Sequence, residues 1–421
     1  MTYIEFFDKQ FSENVCASLS YIPDRVIYIG DNAKIMNKFI ACCQSVFRDR
    51  GIEIEFLSKV IQKSNLDEAV SFLTGIVNEY EDCVFDITGG DEMLVLALGI
   101  VCANNPDKNI QVHKFNLRNN VIFDYDKDGN TIYKETPTLS VKENIRIYGG
   151  TIVYGDVLSN NKTYMWDLSS DFVKDINSIW DICKKKTKSW NIFISILDAV
   201  ECVGSISEQQ TLLTVASKRT LEQYLCEHNI KYVISRDIVN YLTKHKLLTF
   251  SDDSDNGLIS VSYKNEQIKK CLTKAGQALE MKIYITAKGV CDSCGKPIYN
   301  DAVNGAVIDW DGELHDEEPD TKYDTENEID ILLMHDMVPV FISCKNGLVT
   351  ADELYKLNTV AERFGGQYAK KVLVATSLNR LGKAGEYLRQ RAKDMKIKII
   401  ENVHVLNDAD LEDKLKNLWR S

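Results

Sequence analysis

The feature that most constrains the fold is the strict alternation, over the first 125 residues, of short apolar runs with stretches whose apolar residues recur at helical spacing. MTYIEFF, RVIYIG, IEIEFL, CVFDIT and IQVHKFN read as strands, because runs rich in β-branched and aromatic residues suit a pleated, buried surface. Between them 13–21, 33–50, 66–80 and 92–104 read as helices. Alternating strand and helix predicts a parallel, doubly wound, Rossmann-like α/β sheet. Ligands of such sheets bind beyond the carboxyl ends of the strands, where helix N-termini turn free N–H groups outward.

Three loops stand at those ends: Ser12-Glu13-Asn14 after the first strand, Gly30-Asp31-Asn32 after the second, and Thr88-Gly89-Gly90-Asp91-Glu92 after the fourth. Two residues without Cβ beside a hydroxyl let backbone amides approach a phosphate closely at a helix start. The plainer reading of the same residues is an ordinary strand-to-helix turn with Asp91 as cap. The sequence contains no GxGxxG fingerprint and no GxxxxGK[ST] loop, which argues against ordinary NAD or ATP use.

A chain of 421 residues is too long for one core and divides into two or three domains. The expected division is 1–170, 171–270 and 271–421. Within the first, TIVYGDVLSNNKTYMWDL reads as one or two extra strands after a Gly149-Gly150 turn. The middle part is helical and ends in HKLLTFSDDSDNGLISVSYKN, two β-prone runs about a polar turn, as in the wing of a winged helix. A module of that kind serves either to bind nucleic acid or as a packing spacer. The last part reads helix (271–288), GAVIDW, EIDILLM and VPVFISCK as strands, helix (351–364), strand KVLVAT, helix (381–395), strand KIKII. That αβββαβ order is the core of many restriction-endonuclease-like nucleases, and it supports a fold rather than a chemistry.

The formal net charge of −12 argues against a protein that coats nucleic acid permanently, since such binding rests on neutralising phosphates. A local basic stretch remains at 368–398: Lys370, Lys371, Arg380, Lys383, Arg389, Arg391, Lys393, Lys396 and Lys398. A solvated helix face explains it equally well. The opening MTYIEFFDKQ lacks the pattern of a signal peptide, and no apolar run reaches the ~18 residues of a membrane span. A cytoplasmic protein without membrane contact is therefore expected, with its 12 cysteines reduced. Cys291 and Cys294 form a single CxxC; a structural zinc needs four ligands, and even with Cys271 and His315 as further candidates, a tight turn with two free thiols is the preferred reading.

The C-terminal part carries the candidate chemistry. Hydrolysing a phosphodiester at neutral pH requires neutralised phosphoryl charge and an activated water, which Mg²⁺ or Mn²⁺ held by carboxylates supplies. Glu328 and Asp330 are two apart on a predicted strand and share a face. Lys345 ends the next strand after Ser343 and Cys344, and its ammonium is suited to orient water or to stabilise developing negative charge. Glu280, on the preceding helix, completes the set from the side. A surface ion-pair ladder, with Glu280 a solvated helix carboxylate, is the alternative.

The TGG loop combined with NEIDILL…PVFISCKNG and RFGG…KKVLVAT resembles the CRISPR-associated CARF nucleases, in which a CARF sensor is joined to a PD-(D/E)xK endonuclease-like domain. The resemblance spans the first ~125 residues and about 271–400. It implies a homodimer that binds a cyclic oligoadenylate, often cyclic tetra-adenylate, made by type III CRISPR complexes during phage infection, and that then cuts DNA, RNA or both with a divalent metal. Carried over, the ring-binding residues are Ser12 to Asn14, Gly30 to Asn32 and Thr88 to Glu92; the cutting site is Glu280, Glu328, Asp330 and Lys345, with the metal at Glu328, Asp330 and the position of Ser343. Two departures stand out: Ser343 occupies the place of the second acid of the (D/E)xK triplet, and Asp91-Glu92 follow the glycines where many CARF loops carry a basic residue. A nucleotide-responsive DNA-binding regulator with an inert C-terminal domain, and a ring nuclease that destroys the messenger, are the competing expectations.

Overall fold

The structure is a computed structural model and describes residues 1–62, 65–116, 121–125, 131–135, 137–157, 159, 161–207, 210–253, 255–313, 325–378 and 382–420. The N-terminal part runs β1 (Thr2–Phe6), α1 (Glu13–Tyr21), β2 (Arg25–Gly30), α2 (Ala33–Asp49), β3 (Glu55–Val60), α3 (Leu66–Glu79), β4 (Cys83–Asp86), α4 (Glu92–Asn104), β5 (Ile110–Asn116), β6 (Val121–Tyr125) and β7 (Thr131–Glu135). Its sheet has the order β3-β2-β1-β4-β5-β6-β7. The first five strands pair in parallel and the last two turn back antiparallel. This is a Rossmann-like arrangement, and because β2, β1 and β4 are neighbours, the three candidate loops lie side by side at one edge. All five residues of β1 are buried, as a central strand covered on both faces requires.

Next come α5 (Val141–Ile147), opened by a capping box between Ser140 and Glu143, and β8 (Thr151–Ile152). Here the structure departs from the expected division. β8 joins the C-terminal sheet, pairing antiparallel with Ile308 and Asp309. The turn before it is fixed by close packing: a Cβ on Gly150 would stand 2.5 Å from Phe364 Cε1, so the chain is pressed onto the C-terminal part. Val153 N donates to Val307 O at 2.9 Å, and Val307 N donates to the Thr163 hydroxyl at 2.8 Å, tying the segment after β8 to the same strand.

The middle part comprises α6 (Ser170–Lys185), α7 (Thr187–Val203), β9 (Ser205–Ser207), β10 (Gln210–Ser217), α8 (Lys218–Glu227), α9 (Arg236–Lys244), β11 (Leu248–Asp253) and β12 (Leu258–Tyr263). Its antiparallel sheet has the order β11-β12-β10-β9. The single helix expected over 271–288 is two, α10 (Glu266–Thr273) and α11 (Gln277–Gly289). Gly276, at φ +88°, makes the elbow between them, a conformation that side chains with a Cβ rarely adopt.

The chain continues with β13 (Asp301–Asp309), β14 (Glu326–His335), β15 (Val338–Lys345), α12 (Ala351–Gly365), a 3₁₀ turn at Gly366–Tyr368, β16 (Lys370–Ala375), α13 (Lys383–Asp394), β17 (Ile397–Ile400) and α14 (Asp408–Lys416). The sheet order is β17-β16-β15-β14-β13-β8. Ile331, Leu333, Ile342 and Val374 pack into one core with α6, α7 and α11. Leu332, Met334, Phe341 and Leu373 pack into another with α1, α2 and α5 of the N-terminal part. Burial on both faces accounts for the unbroken apolar run of β15. Among the described residues no helix is long and apolar enough to cross a membrane.

Candidate functional site

The acidic centre forms where the β14–β15 ladder ends. Its pairs run from His335↔Val338 to Ile331↔Ile342. Beyond them Cys344 N donates to Asp330 Oδ2 at 2.6 Å, and the Ser343 hydroxyl donates to the same oxygen at 3.1 Å. Ser343, expected at a metal-facing position, thus holds Asp330. The simple alternation used to pair Glu328 with Asp330 also breaks here: Ile329 shares a core with Leu332 and Met334, while Ile331 and Leu333 face the other. The two carboxylates nevertheless stand close enough for Glu328 to raise the pKa of Asp330. On β13, Gly305 lies between the partners of Ile331 and Ile329 at φ +59°; a Cβ there would sit 3.5 Å from Glu328 Oε1.

Two residues absent from the sequence candidates complete the charge pattern. Glu353, in the first turn of α12, lies 3.0 Å from Lys345 Nζ, which is itself 3.9 Å from Asp330 Oδ2. Lys274, at the α10–α11 elbow, is ion-paired with Glu328. Only the Ala275-Gly276 break hinted that Lys274 leaves the helix, and nothing distinguished Glu353 from an ordinary first-turn acid.

Glu280 is 4% exposed, in the first turn of α11, and its Oε2 is buried without a hydrogen-bond partner. Burial and then the charge of Asp330 push its carboxyl well above the usual range. Burial likewise raises Asp330, against the pull of Lys345 and the Cys344 N–H. For Lys345 burial opposes the ammonium, yet Asp330, the Glu353 hydrogen bond and Glu280 outweigh it and hold the group charged. A neutral chain braces the acids from below: Gln277 donates to Asn304 at 2.9 Å, and Asn304 donates to the main-chain oxygen of Asp330 at 2.9 Å.

Oxygen donors on Glu280, Glu328, Asp330 and Glu353 are the ligand type that Mg²⁺ and Mn²⁺ take, and the orphaned Glu280 oxygen is an unmet demand for a cation or a proton. The chemistry of the donors, rather than their present spacing, suits such an ion. As they stand, no three His, Cys, Asp or Glu side chains among the described residues converge on one point, and the positive charge beside the acids belongs to Lys274 and Lys345.

At the N-terminal edge, Asn14 pins its loop, accepting from Asp8 N at 3.0 Å and donating to Asp8 O at 2.7 Å. Ser12, Glu13 and Asn14 are all buried. Ser12 Oγ lies 3.5 Å from the Tyr148 hydroxyl, and the Tyr368 hydroxyl donates to Glu13. Burial, offset in part by that bond, raises Glu13 to about 7. Gln367 N donates to Gln10 Oε1 at 3.0 Å, so the first candidate loop touches the 3₁₀ turn that follows α12. Asn32 caps α2 through Ile35 N at 3.1 Å, with Gly30 behind it and Asp31 exposed. Asp91 caps α4, accepting from Met93 N and Leu94 N at 2.9 and 3.2 Å, so that part of the plainer reading holds. The Thr88 hydroxyl accepts from Phe115 N at 2.6 Å. Gly89 and Gly90 are demanded by packing, since added Cβ atoms would lie 2.8 Å from Phe6 O and 2.5 Å from Phe6 Cβ. Glu92 and Gly90 are exposed at the same edge.

The basic stretch does not form one continuous face: Lys371 is buried against Asn358, at 2.6 Å, and Arg389 pairs with Glu401 at 2.7 Å. Arg380 and His315 lie outside the described residues. Cys291 and Cys294 flank a turn held by Asp292, whose Oδ1 accepts from Cys294 N and Lys296 N at 2.8 and 3.0 Å.

No protein-family model matches the sequence, and no curated protein does. Solved structures do share the fold. Protein VC1899 from Vibrio cholerae is 17% identical with a TM-score of 0.71, over 100% of this chain and 98% of its own. Can2 from Sulfobacillus thermosulfidooxidans, solved in complex with cyclic tetra-adenylate, is 13% identical with a TM-score of 0.64, over 100% of this chain and 99% of its own. A type III CRISPR defence DNA nuclease activated by cyclic oligoadenylate matches 89% of this chain and 45% of its own at a TM-score of 0.45, too low to bear on the fold.

Proposed function

We propose that this chain is a cytoplasmic, homodimeric nuclease of type III CRISPR defence, switched on by a cyclic oligoadenylate, with cyclic tetra-adenylate the expected ring, and cutting DNA or RNA. The observation that carries the reading is the cluster of buried Glu280 with half-buried Asp330 and Lys345, and Glu328 at its mouth, in a chain whose whole length shares the fold of ring-bound Can2. We assign ring sensing to the N-terminal sheet, spacing to a winged-helix-like middle part, and cutting to a PD-(D/E)xK-like C-terminal part.

Glu280, Glu328 and Asp330 would hold Mg²⁺ or Mn²⁺, with Glu353 standing in for the acid that Ser343 replaces. Such an ion supplies positive charge at the phosphoryl oxygens and makes water more acidic. Lys345, kept charged by Asp330 and Glu353, stabilises the negative charge that develops on the phosphoryl group. Ser343 and Cys344 fix Asp330, so its carboxylate needs no reorganisation when the substrate arrives. In the idle arrangement Lys274 neutralises Glu328; activation requires it to withdraw.

The ring would bind across two copies of the loop edge, since a twofold ligand fits a site built from one surface used twice. Met93, Val95 and Leu96, exposed on α4 beside the Thr88–Glu92 loop, supply apolar surface for that pairing. Contacts of Gln10 with Gln367 and of Glu13 with Tyr368 support a mechanical link. They join a ring-binding loop to the end of α12, whose first turn carries Glu353. A ring that binds one loop arrangement better than the other shifts the population of the whole link.

The test incubates plasmid and single-stranded substrates with Mn²⁺, with and without cyclic tetra-adenylate, and follows the ring by chromatography. Ring-dependent cutting supports the proposal. Shifted but intact bands would identify a regulator, and loss of the ring with intact nucleic acid would identify a ring nuclease.

A further inference from the structure

A cleft of about 690 Å³ opens beside the acidic centre, walled by the segment after β8 and by α10. Its floor reaches Asn304, Gly305 and Glu328, so whatever fills it ends at Glu328, the outermost carboxylate of the centre, and its partner Lys274. Charge inside it is uneven. At the far end Glu201 is neutralised by Lys269 at 2.7 Å and accepts the Thr214 hydroxyl at 2.8 Å. At the near end the Lys270 ammonium donates to the main-chain oxygens of Val157 and Ser159, at 3.0 and 3.2 Å, and lies 5.8 Å from the Tyr164 ring. Exposed Lys162 is 3.4 Å from Glu326 at the rim. Tyr164 and Trp166 meet edge to face with centroids 5.0 Å apart, and Trp166 is backed by Phe172 in a stack at 5.7 Å. The rings are therefore rigidly held and half-buried.

A cation beside a braced aromatic surface recognises a phosphate joined to a flat heterocycle. We infer that this cleft is a nucleotide subsite for the substrate strand, in which Lys270 and Lys162 receive a backbone phosphate flanking the cut and Tyr164 takes an unpaired base against its ring. The volume is within the range of sites that enclose a small organic ligand, and so suits a nucleotide or two rather than a helix. In a duplex the faces of the bases are covered by their neighbours, so a stacking ring selects a single strand. This subsite rests on the nuclease reading for its purpose, though its ligand chemistry is read from the cleft itself.

The test measures fluorescence anisotropy of a fluorescein-labelled oligothymidine on the full chain, with EDTA present to stop cutting. Tyr164→Ala and Lys270→Ala should each weaken binding about tenfold, and Tyr164→Phe should restore it, because stacking needs the ring and not the hydroxyl. Lys270→Ala should also flatten the dependence of log K on log salt by roughly 0.7, the share of one phosphate on a single strand. Affinity unchanged in Tyr164→Ala, or lost equally in Tyr164→Phe, overturns the subsite. The two readings fail separately. A chain that binds the strand in this pattern but never cuts keeps the subsite and loses the nuclease; one that cuts normally, with variants that bind as the parent does, loses the subsite alone.

Discussion

Replacing Tyr368 by Phe removes one hydroxyl from the contact between the Ser12–Asn14 loop and the turn after α12, while leaving the ring in place. A hydrogen bond to a charged group is worth about 1.5–3 kcal/mol and one between neutral groups about 0.5–1.5 kcal/mol. Glu13 titrates at about 7, so near that pH it is about half ionised and the bond falls between the two ranges. If the bond belongs to the idle arrangement, its loss shifts the equilibrium toward the active one by roughly 1–2 kcal/mol, or about 5- to 30-fold. The assay is the initial rate of strand cleavage with Mn²⁺, without the ring and at saturating ring. The variant should raise the ring-free rate by that factor and leave the saturated rate alone. A second signature comes from titration. A carboxyl raised from 4.5 to about 7 contributes stability that is complete below 4.5 and is lost as pH climbs through 7. The Tyr368 bond lowers Glu13, so without it the loss moves to higher pH. An unchanged ring-free rate together with a fallen saturated rate would refute the reasoning, since the bond would then belong to the active arrangement.

Lys345→Ala should lower the ring-activated rate by about 10²–10³-fold, the usual cost of one preorganised donor, with ring affinity by calorimetry unchanged; full activity in this variant removes the catalytic assignment. Glu280→Gln should abolish cutting yet make the chain more resistant to urea at neutral and alkaline pH. The sign follows from the raised carboxyl: the native state disfavours the ionised group, so this group costs the wild type stability as pH rises from 4.5 upward, and the variant lacks that loss. A variant less stable than the wild type at high pH contradicts this. Gly89→Ala sets a Cβ 2.7 Å from Asp8 Cβ and 2.8 Å from an immovable main-chain oxygen of Phe6, which should cost about 1–3 kcal/mol and weaken ring binding. An unmoved urea midpoint counts against it.

Much of the fold was legible because periodicity is a local signal. Strands such as RVIYIG and VPVFISCK appear as read, since each is buried and bounded by turn residues. What the sequence hid depends on contacts between distant segments. β8 reads as an appendage of the N-terminal part, but its partners Ile308 and Asp309 lie more than 150 residues away. The nearness of Glu328, Asp330 and Lys345 is legible because adjacent strands bring their ends together, whereas that of Glu353 and Lys274 depends on the angle of α12 and on one glycine elbow. The loop residues Ser12 to Asn14 were visible as a position, but not as a contact with Gln367 and Tyr368, because nothing local marks a turn more than 350 residues distant.

The most direct measurement follows a labelled nucleic acid strand incubated with the wild-type chain and with Asp330→Asn, each with and without cyclic tetra-adenylate, in Mn²⁺ or in EDTA. The account predicts cutting only when wild-type chain, ring and divalent ion are all present. Cutting that persists in EDTA or in Asp330→Asn, or none in the complete mixture, would contradict it.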